Sequence, residues 1–471
     1  MRMFYGAQWR DAAKTIEVKN PFDGSVVDTV PSATADDVER ALVGVSAGAK
    51  TMAALSGYKR YQILLRAAQL MGERADDLGR TISLEEGKTL AEGKAEVQRA
   101  KETMELSAEE AKRLGGEVLP LDGASTGAGK FGFTLRVPCG VVAAITPFNF
   151  PLNLVVHKVG PALAAGNACI VKPAGDTPLS ALRLVEILLE AGLPPDGLAC
   201  VTGPGAVVGE AIVRDARVRK VSFTGSRDVG EHLCNIAGIK RVTMELGSNA
   251  PLVVLPDADP QKVADAVLVT GFGNAGQVCI STQRIVALGS MYGNLLDALV
   301  PKVAALRAGN QLDPQTQVGP MVREADAVRV EKWIAEAAAG GARLLVGGKR
   351  RGAVVEPAVV ADVKPTMKLS CDELFGPAVG VTRVETIDEA IAVANDTRYG
   401  LSAAVFTQNI DHALKFARQV ESGNIHVNWG TAWRADLMPY GGLKDSGLGK
   451  EGPKYAVQEM TESKTVIFHS G

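Results

Sequence analysis

The chain has 471 residues, 51 Lys and Arg against 53 Asp and Glu, 46% apolar and 22% charged residues, a profile that excludes disorder and fibre. At roughly 100 to 200 residues per domain, such a chain holds two to four domains. A formal charge of -2, with no long basic or acidic run, lacks the footprint that nucleic acid or an anionic membrane requires, so small molecules are the expected partners.

Residues 1–14 place Arg10 and Asp11 where a signal peptide needs an apolar core, so a cytoplasmic protein is expected. From 35 to about 114 the periodicity is helical, with Ile63, Ala67 and Met71 on one line and Leu64 and Ala68 beside it. Residues 115–130 turn to Gly, Ser, Thr, Pro and Asp without periodicity and read as a loop or an arm. Short β-branched runs then alternate with amphipathic helices at 141–145, 168–171, 198–201, 219–223 and 241–244, the pattern of a doubly wound α/β domain with a parallel sheet. Within it, the uncharged stretch 140–156 contains Pro147, Asn149, Pro151 and Asn153 and cannot be a membrane span. A second α/β series begins near 246, with strands at 251–255, 284–288, 343–346 and 403–406 and a helix at 260–270. The run 465–468 is a lone strand that needs a partner, with a subunit boundary as one place to find it.

The six cysteines form no CxxC pair and the five histidines no HxxxH pair, so reduced thiols and no metal site are expected. Cys279 follows a glycine-broken helix end, Phe272-Gly273-Asn274-Ala275-Gly276-Gln277-Val278, where backbone can approach another group closely. It is either a nucleophile, if its surroundings favour the thiolate, or a buried structural cysteine. Val221-Ser222-Phe223-Thr224-Gly225-Ser226 runs from a strand through a glycine turn into a helix. That junction suits a phosphate, or is a plain turn. Lys172 ends another strand at the edge where such sheets bind ligands. Glu245 ends an apolar strand between the two domains and is either a general base or a cap. Glu373 precedes a rigid turn and could serve a ribose or solvent.

These residues bring out a resemblance to the aldehyde dehydrogenase superfamily that runs nearly end to end. It is carried by Thr146-Pro147-Phe148-Asn149-Phe150-Pro151, Val171-Lys172-Pro173, Phe223-Thr224-Gly225-Ser226, Glu245-Leu246-Gly247, Gly276-Gln277-Val278-Cys279, Glu373-Leu374-Phe375-Gly376-Pro377 and Pro439-Tyr440-Gly441-Gly442, in family order and spacing. The motifs resemble most the branch containing lactaldehyde and phosphonoaldehyde dehydrogenases. The resemblance implies an α/β aldehyde dehydrogenase fold with two Rossmann-like domains and a small β oligomerisation arm. Residues 1–114 and 131–245 would bind NAD or NADP, 246–438 would form the catalytic domain, and 115–130 with 439–471 the arm of a homo-dimer or homo-tetramer.

In that resemblance Cys279 attacks the aldehyde, Asn149 and the Cys279 N–H hold the developing oxyanion, and Glu245 activates the hydrolytic water. Lys172 is carried over both with the catalytic set and as the adenosine-ribose ligand. Ile145, Thr146, Pro147 and Phe148 would line the cofactor, as would Ala174 and Gly175 after the lysine, and Gly205 and Gly209 beyond them. Phe223, Thr224, Gly225, Ser226 and Val229 would lie by the pyrophosphate. Leu246 and Gly247 would also contact the cofactor, and Glu373 with Phe375 would seat the nicotinamide ribose and ring.

For the aldehyde, the helix after Asn149 should point Phe150, Asn153, Leu154 and His157 toward the entrance, since residues four and eight apart share a face, and the resemblance adds Ile280 beside the nucleophile and Arg434 and Tyr440 on a closing loop. Arg434 suits an anionic substrate group, or pairs with Asp436 or another acid. Gly175 stands where many NAD-preferring relatives carry Glu, so NADP should be tolerated, with Asp176 beside it. Ser248 replaces the second glycine of ELGG, and Val278 the Arg of phosphate-binding branches. The expectation is NAD(P)-dependent, non-acylating oxidation of a small hydroxylated or anionic aldehyde. The alternatives are a CoA-acylating enzyme, against which Glu245 argues, and a catalytically silent member of the fold.

Overall fold

Strands that are apolar without alternation must be covered on both faces, and in the computed structural model, which describes residues 1–469, they are. Val141–Ile145 lies between Ala168–Lys172 and Val218–Thr224, with Leu198–Cys200 and Arg241–Glu245 outside them, all parallel. The N-terminal hairpin Met3–Tyr5 and Gln8–Arg10 and, at the other edge, Gly447–Leu448 complete eight strands. Register sets up the site. Lys172 stands opposite Ile145, Ile145 opposite Phe223, and Thr224 opposite Glu245. Four neighbouring strands thus deliver these side chains to one carboxyl edge, where open parallel sheets bind ligands.

The second domain carries a seven-stranded sheet, with Pro251–Val254 and Arg284–Leu288 at its centre and only the pairing of Arg343–Val346 with Ala358–Ala361 antiparallel. Helix Pro260–Phe272 starts on an Asp259 cap with proline at its first position, and its end leads into the Cys279 loop. Ahead of the first sheet run the helices Ala35–Ala54, Gly57–Glu73, Ala75–Glu86 and Leu90–Ala111. Thr34 with Asp37, and Thr89 with Glu92, close reciprocal capping boxes at the first and last of them. No helix among the described residues is long and apolar enough to cross a membrane.

A third, three-stranded sheet joins Val118–Leu119, Lys130–Pro138 and Thr461–His469. The C-terminal strand finds its partner inside the chain: it pairs along its length with Lys130–Pro138, from Thr461 opposite Pro138 to His469 opposite Lys130. Strand pairing therefore groups 130–138 with 118–119 and 461–469 and not with the first sheet. Most of 439–460, grouped with the arm by sequence, threads back instead: Leu443–Lys444 pairs with Tyr399–Gly400 of the second domain, and Gly447–Leu448 borders the first sheet. The end of the expected arm, 470–471, lies outside the described residues.

Candidate active site

The turn before Cys279 is left-handed over three residues, with φ of 51° at Asn274, 51° at Ala275 and 70° at Gly276. A Cβ on Gly276 would stand 2.1 Å from the Gly376 carbonyl oxygen, so only glycine fits. Asn274 is held in this unfavourable region by two acids: its N–H donates to the half-buried Glu92 at 2.7 Å and its Nδ2 to the buried Glu86 at 3.0 Å. Gln277 braces the loop from the other side, donating Nε2 to the Asn274 carbonyl at 3.3 Å and accepting the Val322 N–H at 3.0 Å. Cys279 emerges from this brace partly exposed, its Sγ 3.4 Å from the Tyr440 hydroxyl. Burial pushes its thiol pKa up to about 12, against a lowering by the Tyr440 hydroxyl. Ile280 and Tyr440 form the small apolar cluster on which the cysteine packs.

Asn149 and Glu245 face the same loop. The Asn149 Nδ2 donates to the Gln277 carbonyl at 2.8 Å, while the Asn149 backbone carbonyl accepts from Lys88 and from Asn274. Lys88 is itself buried in an ion pair with Glu96 at 2.6 Å. Glu245 is only 2% exposed, yet neither carboxyl oxygen meets a hydrogen-bond partner among the described residues. Burial and the neighbouring Glu451 raise its pKa well above the carboxylate range, with Arg434, Lys158 and Lys450 opposing. Gly441 backs onto it: a Cβ there would come within 2.8 Å of Glu245 Oε1.

Beside this pair runs a buried chain of charges. Lys158 Nζ donates to Thr224 at 2.7 Å and Glu451 at 2.8 Å, and Arg434 donates to the second Glu451 oxygen at 3.1 Å. Arg434 also meets His157 Nδ1 at 3.1 Å; His157 Nε2 lies 2.9 Å from Asp436, which accepts from Arg99 at 2.8 and 3.1 Å. The Arg434 guanidinium lies 3.9 Å from the centre of the Tyr440 ring. Burial and Arg434 pull the His157 pKa down. Glu451 is held below the ordinary carboxylate range despite its burial, because Lys158 and Arg434 flank it.

Here the sequence expectations need correcting. Asn153 and His157 do not open toward an entrance. Both are buried, Asn153 accepting from Thr103 at 3.0 Å, because Glu96 accepts the N–H groups of Leu152 and Asn153 and docks the helix start onto Leu90–Ala111. The Phe150 ring lies under Lys88 at 3.7 Å and near Arg99. Arg434 is paired internally, its Nε 3.5 Å from Asp436 and its Nη1 closer to Glu451. Sequence reasoning missed Lys158, Glu451 and Arg99. Lys158 left a signal, the one lysine or arginine of the mostly apolar helix Asn153–Ala164, which must find an acid if it is buried. Glu451 and Arg99 left none.

On the other side of the cleft lies a cavity of about 920 Å³, lined in part by Lys172, Ala174, Gly175 and Gly205. Lys172 points here, its Nζ 3.0 Å from the Pro173 carbonyl, and burial lowers its pKa. A Cβ at Gly175, Gly205 or Gly209 would touch nothing. Ile145 ends the central strand, and the Thr146 N–H donates to the Lys172 carbonyl at 3.2 Å. After Pro147, the Phe148 ring meets Phe375 edge-on at 5.8 Å. Phe223 curls under Gly225, where a Cβ would lie 2.5 Å from its ring. Ser226 precedes helix Arg227–Ala237, and Val229 is on its exposed face. Leu246 packs against Gly230, and Glu373 grips the turn beyond, accepting the Ser248 N–H at 2.8 Å and crowding Gly247. Burial raises the Glu373 pKa to about 7.

A parallel sheet with an open cavity at its carboxyl edge, lined by a lysine, thus faces a second α/β domain that offers a partly exposed cysteine, the layout of a dinucleotide-dependent oxidoreductase. Residues 9–466 match the profile of the aldehyde dehydrogenase family, and the chain belongs to that family. It is 44% identical over 467 residues to a 3-sulfolactaldehyde dehydrogenase of Priestia aryabhattai, covering 99% of this chain and 98% of the relative. It is 37% identical over 472 residues to a lactaldehyde dehydrogenase of Methanococcus maripaludis, covering 99% of this chain and all of the relative. The solved glyceraldehyde-3-phosphate dehydrogenase of Methanocaldococcus jannaschii, complexed with NADP, superposes with a TM-score of 0.94 at 37% identity, over 97% of this chain and 100% of that one. The protein is thus an aldehyde dehydrogenase that oxidises an aldehyde with NAD or NADP.

Proposed function

We propose that the chain oxidises a small anionic or hydroxylated aldehyde to its carboxylic acid through a thioester on Cys279. The observation that carries this reading is the meeting, around one loop, of a partly exposed thiol, the Asn149 amide and an unpartnered Glu245 carboxyl. The Cys279 thiol gives its proton to Glu245, which passes it to solvent, the sulfur adds to the carbonyl carbon, and the oxygen takes the negative charge between Asn149 Nδ2 and the Cys279 N–H. Bound NAD(P) supplies the hydride acceptor. Loss of hydride from the former carbonyl carbon leaves the acyl group on sulfur, Glu245 takes a proton from water, and the hydroxide releases the acid and the thiolate.

Lys172, Ala174, Gly175 and Gly205 would hold the adenosine end of the cofactor, and Glu373 and Phe375 the nicotinamide end. Room at Gly175, Gly205 and Gly209 supports this. Residues 1–114 and 139–245 would form the cofactor domain, and 246–438 the catalytic one. The sheet of 118–119, 130–138 and 461–469 would form the oligomerisation arm of a dimer or tetramer, since it exposes Phe131, Ile467 and Phe468 beside an edge strand. Six free thiols fit a cytoplasmic setting.

Anionic selectivity is drawn from Arg434, which lies against the Tyr440 ring beside the sulfur and, although paired with Glu451, keeps an Nε that meets no hydrogen-bond partner among the described residues. Purified protein assayed with both cofactors should turn over sulfolactaldehyde or lactaldehyde with a kcat/KM at least about tenfold above that for benzaldehyde, a difference of about 1.4 kcal/mol. A preference for benzaldehyde would overturn the substrate class.

A further inference from the structure

The cavity at the carboxyl edge of the first sheet carries one arrangement that its family resemblance does not supply. Its floor is Lys172, whose ammonium reaches only a backbone carbonyl. Its rim is Gly175, which leaves open space, followed by the acid Asp176. Alone, that carboxylate would repel a second negative charge. It is not alone: Arg323 reaches it from the second domain, Nε to Oδ1 at 3.2 Å and Nη2 to Oδ2.

The reach is built in. The Val322 N–H is held at 3.0 Å by the same Gln277 side chain that braces the nucleophile loop, and helix Glu324–Ala339 starts directly after Arg323. The other acids around the cavity are engaged elsewhere. Glu17 pairs with Lys19, Glu324 with Arg350, Asp23 with Ser25, and Glu85 accepts from Leu179 and Ser180. The Arg323 side chain is 52% exposed, so its pair with Asp176 is weak and open to exchange. Its third nitrogen, Nη1, stands 4.0 Å from the nearest acid, Asp326. The guanidinium fork can therefore cancel Asp176 through one edge and still offer donors to a phosphate.

We propose that Arg323 is the residue that admits the 2′-phosphate of NADP, by neutralising Asp176 at the cavity rim and binding the phosphate together with Lys172. This rests on the NAD(P)-dependent reading above. NADP is then accepted through a side chain of the catalytic domain, while NAD, which carries a 2′-hydroxyl, is indifferent to it.

Fluorescence titration of the full-length protein with NADH and NADPH, without aldehyde, tests this. Arg323→Ala should raise the Kd for NADPH by about tenfold or more and that for NADH by less than about twofold. Asp176→Asn should tighten NADPH alone, and Arg323→Lys, which keeps the charge but loses the fork, should fall between wild type and Arg323→Ala. Equal changes for both reduced cofactors in Arg323→Ala would overturn the proposal and leave Arg323 a clamp between domains. A wild-type protein that binds neither would overturn the dehydrogenase reading itself, and the inference with it.

Discussion

The two sides of the cleft treat charge in opposite ways. Around Cys279 the buried ions are linked one to the next, from Lys158 through Glu451, Arg434, His157 and Asp436 to the partly exposed Arg99, and a single carboxyl, Glu245, is left out of the chain. At the other side the cavity is open and its lysine is tied only to a backbone carbonyl. A binding surface can leave its ligand groups to water until a cofactor arrives. A pocket built from buried side chains must satisfy most of its polar groups internally. Glu245 is the buried carboxyl of this side whose two oxygens meet no partner among the described residues, and the proposed role as base rests on that.

The comparison can be broken at four points. Cys279→Ala should lower aldehyde oxidation by roughly 10⁴-fold or more while leaving the Kd for reduced cofactor unchanged. Loss of both would mean that the two sides are not separable. Glu451→Gln removes one partner of two buried cations and should destabilise the fold by about 3–5 kcal/mol in denaturant titration. Lys172→Met, on the open side, should cost far less stability and raise the KM for cofactor instead. A similar loss in both would erase the contrast. Arg434→Ala should raise KM for an anionic aldehyde by about 10- to 100-fold and for a neutral one only slightly, and equal effects would return Arg434 to the scaffold. The pH profile sharpens the picture last. Glu245 works as the carboxylate, and its pKa is raised by burial, so kcat should fall with falling pH well above the ordinary carboxylate value of about 4.3. Turnover that is flat down to that region would contradict the role of the base.

What could be read ahead of the coordinates follows from locality. Val141–Ile145 and Arg284–Leu288 have the expected bounds because a short apolar run with β-branched residues, bounded by glycine or polar residues, carries its own signal. The Cys279 turn was legible for a similar reason, since glycine at 276 meets a need of the adjacent backbone. The pairing of Lys130–Pro138 with Thr461–His469 was not, because it joins segments more than three hundred residues apart and nothing in either names the other. Asn153 and His157 were misaimed for another reason. Helical spacing tells which residues share a face but not what that face meets, and here it meets Thr103 and Asp436. The chain of buried charges needs three distant segments to converge, and only Lys158 hinted at it.

The most direct measurement is acid quench and peptide mass analysis of Glu245→Gln after mixing with NAD(P) and aldehyde. A burst of reduced cofactor, with the acyl group recovered as a thioester on the peptide that carries Cys279, is the expected result. A burst with no acyl group on that cysteine, or with the group on another side chain, would contradict the account.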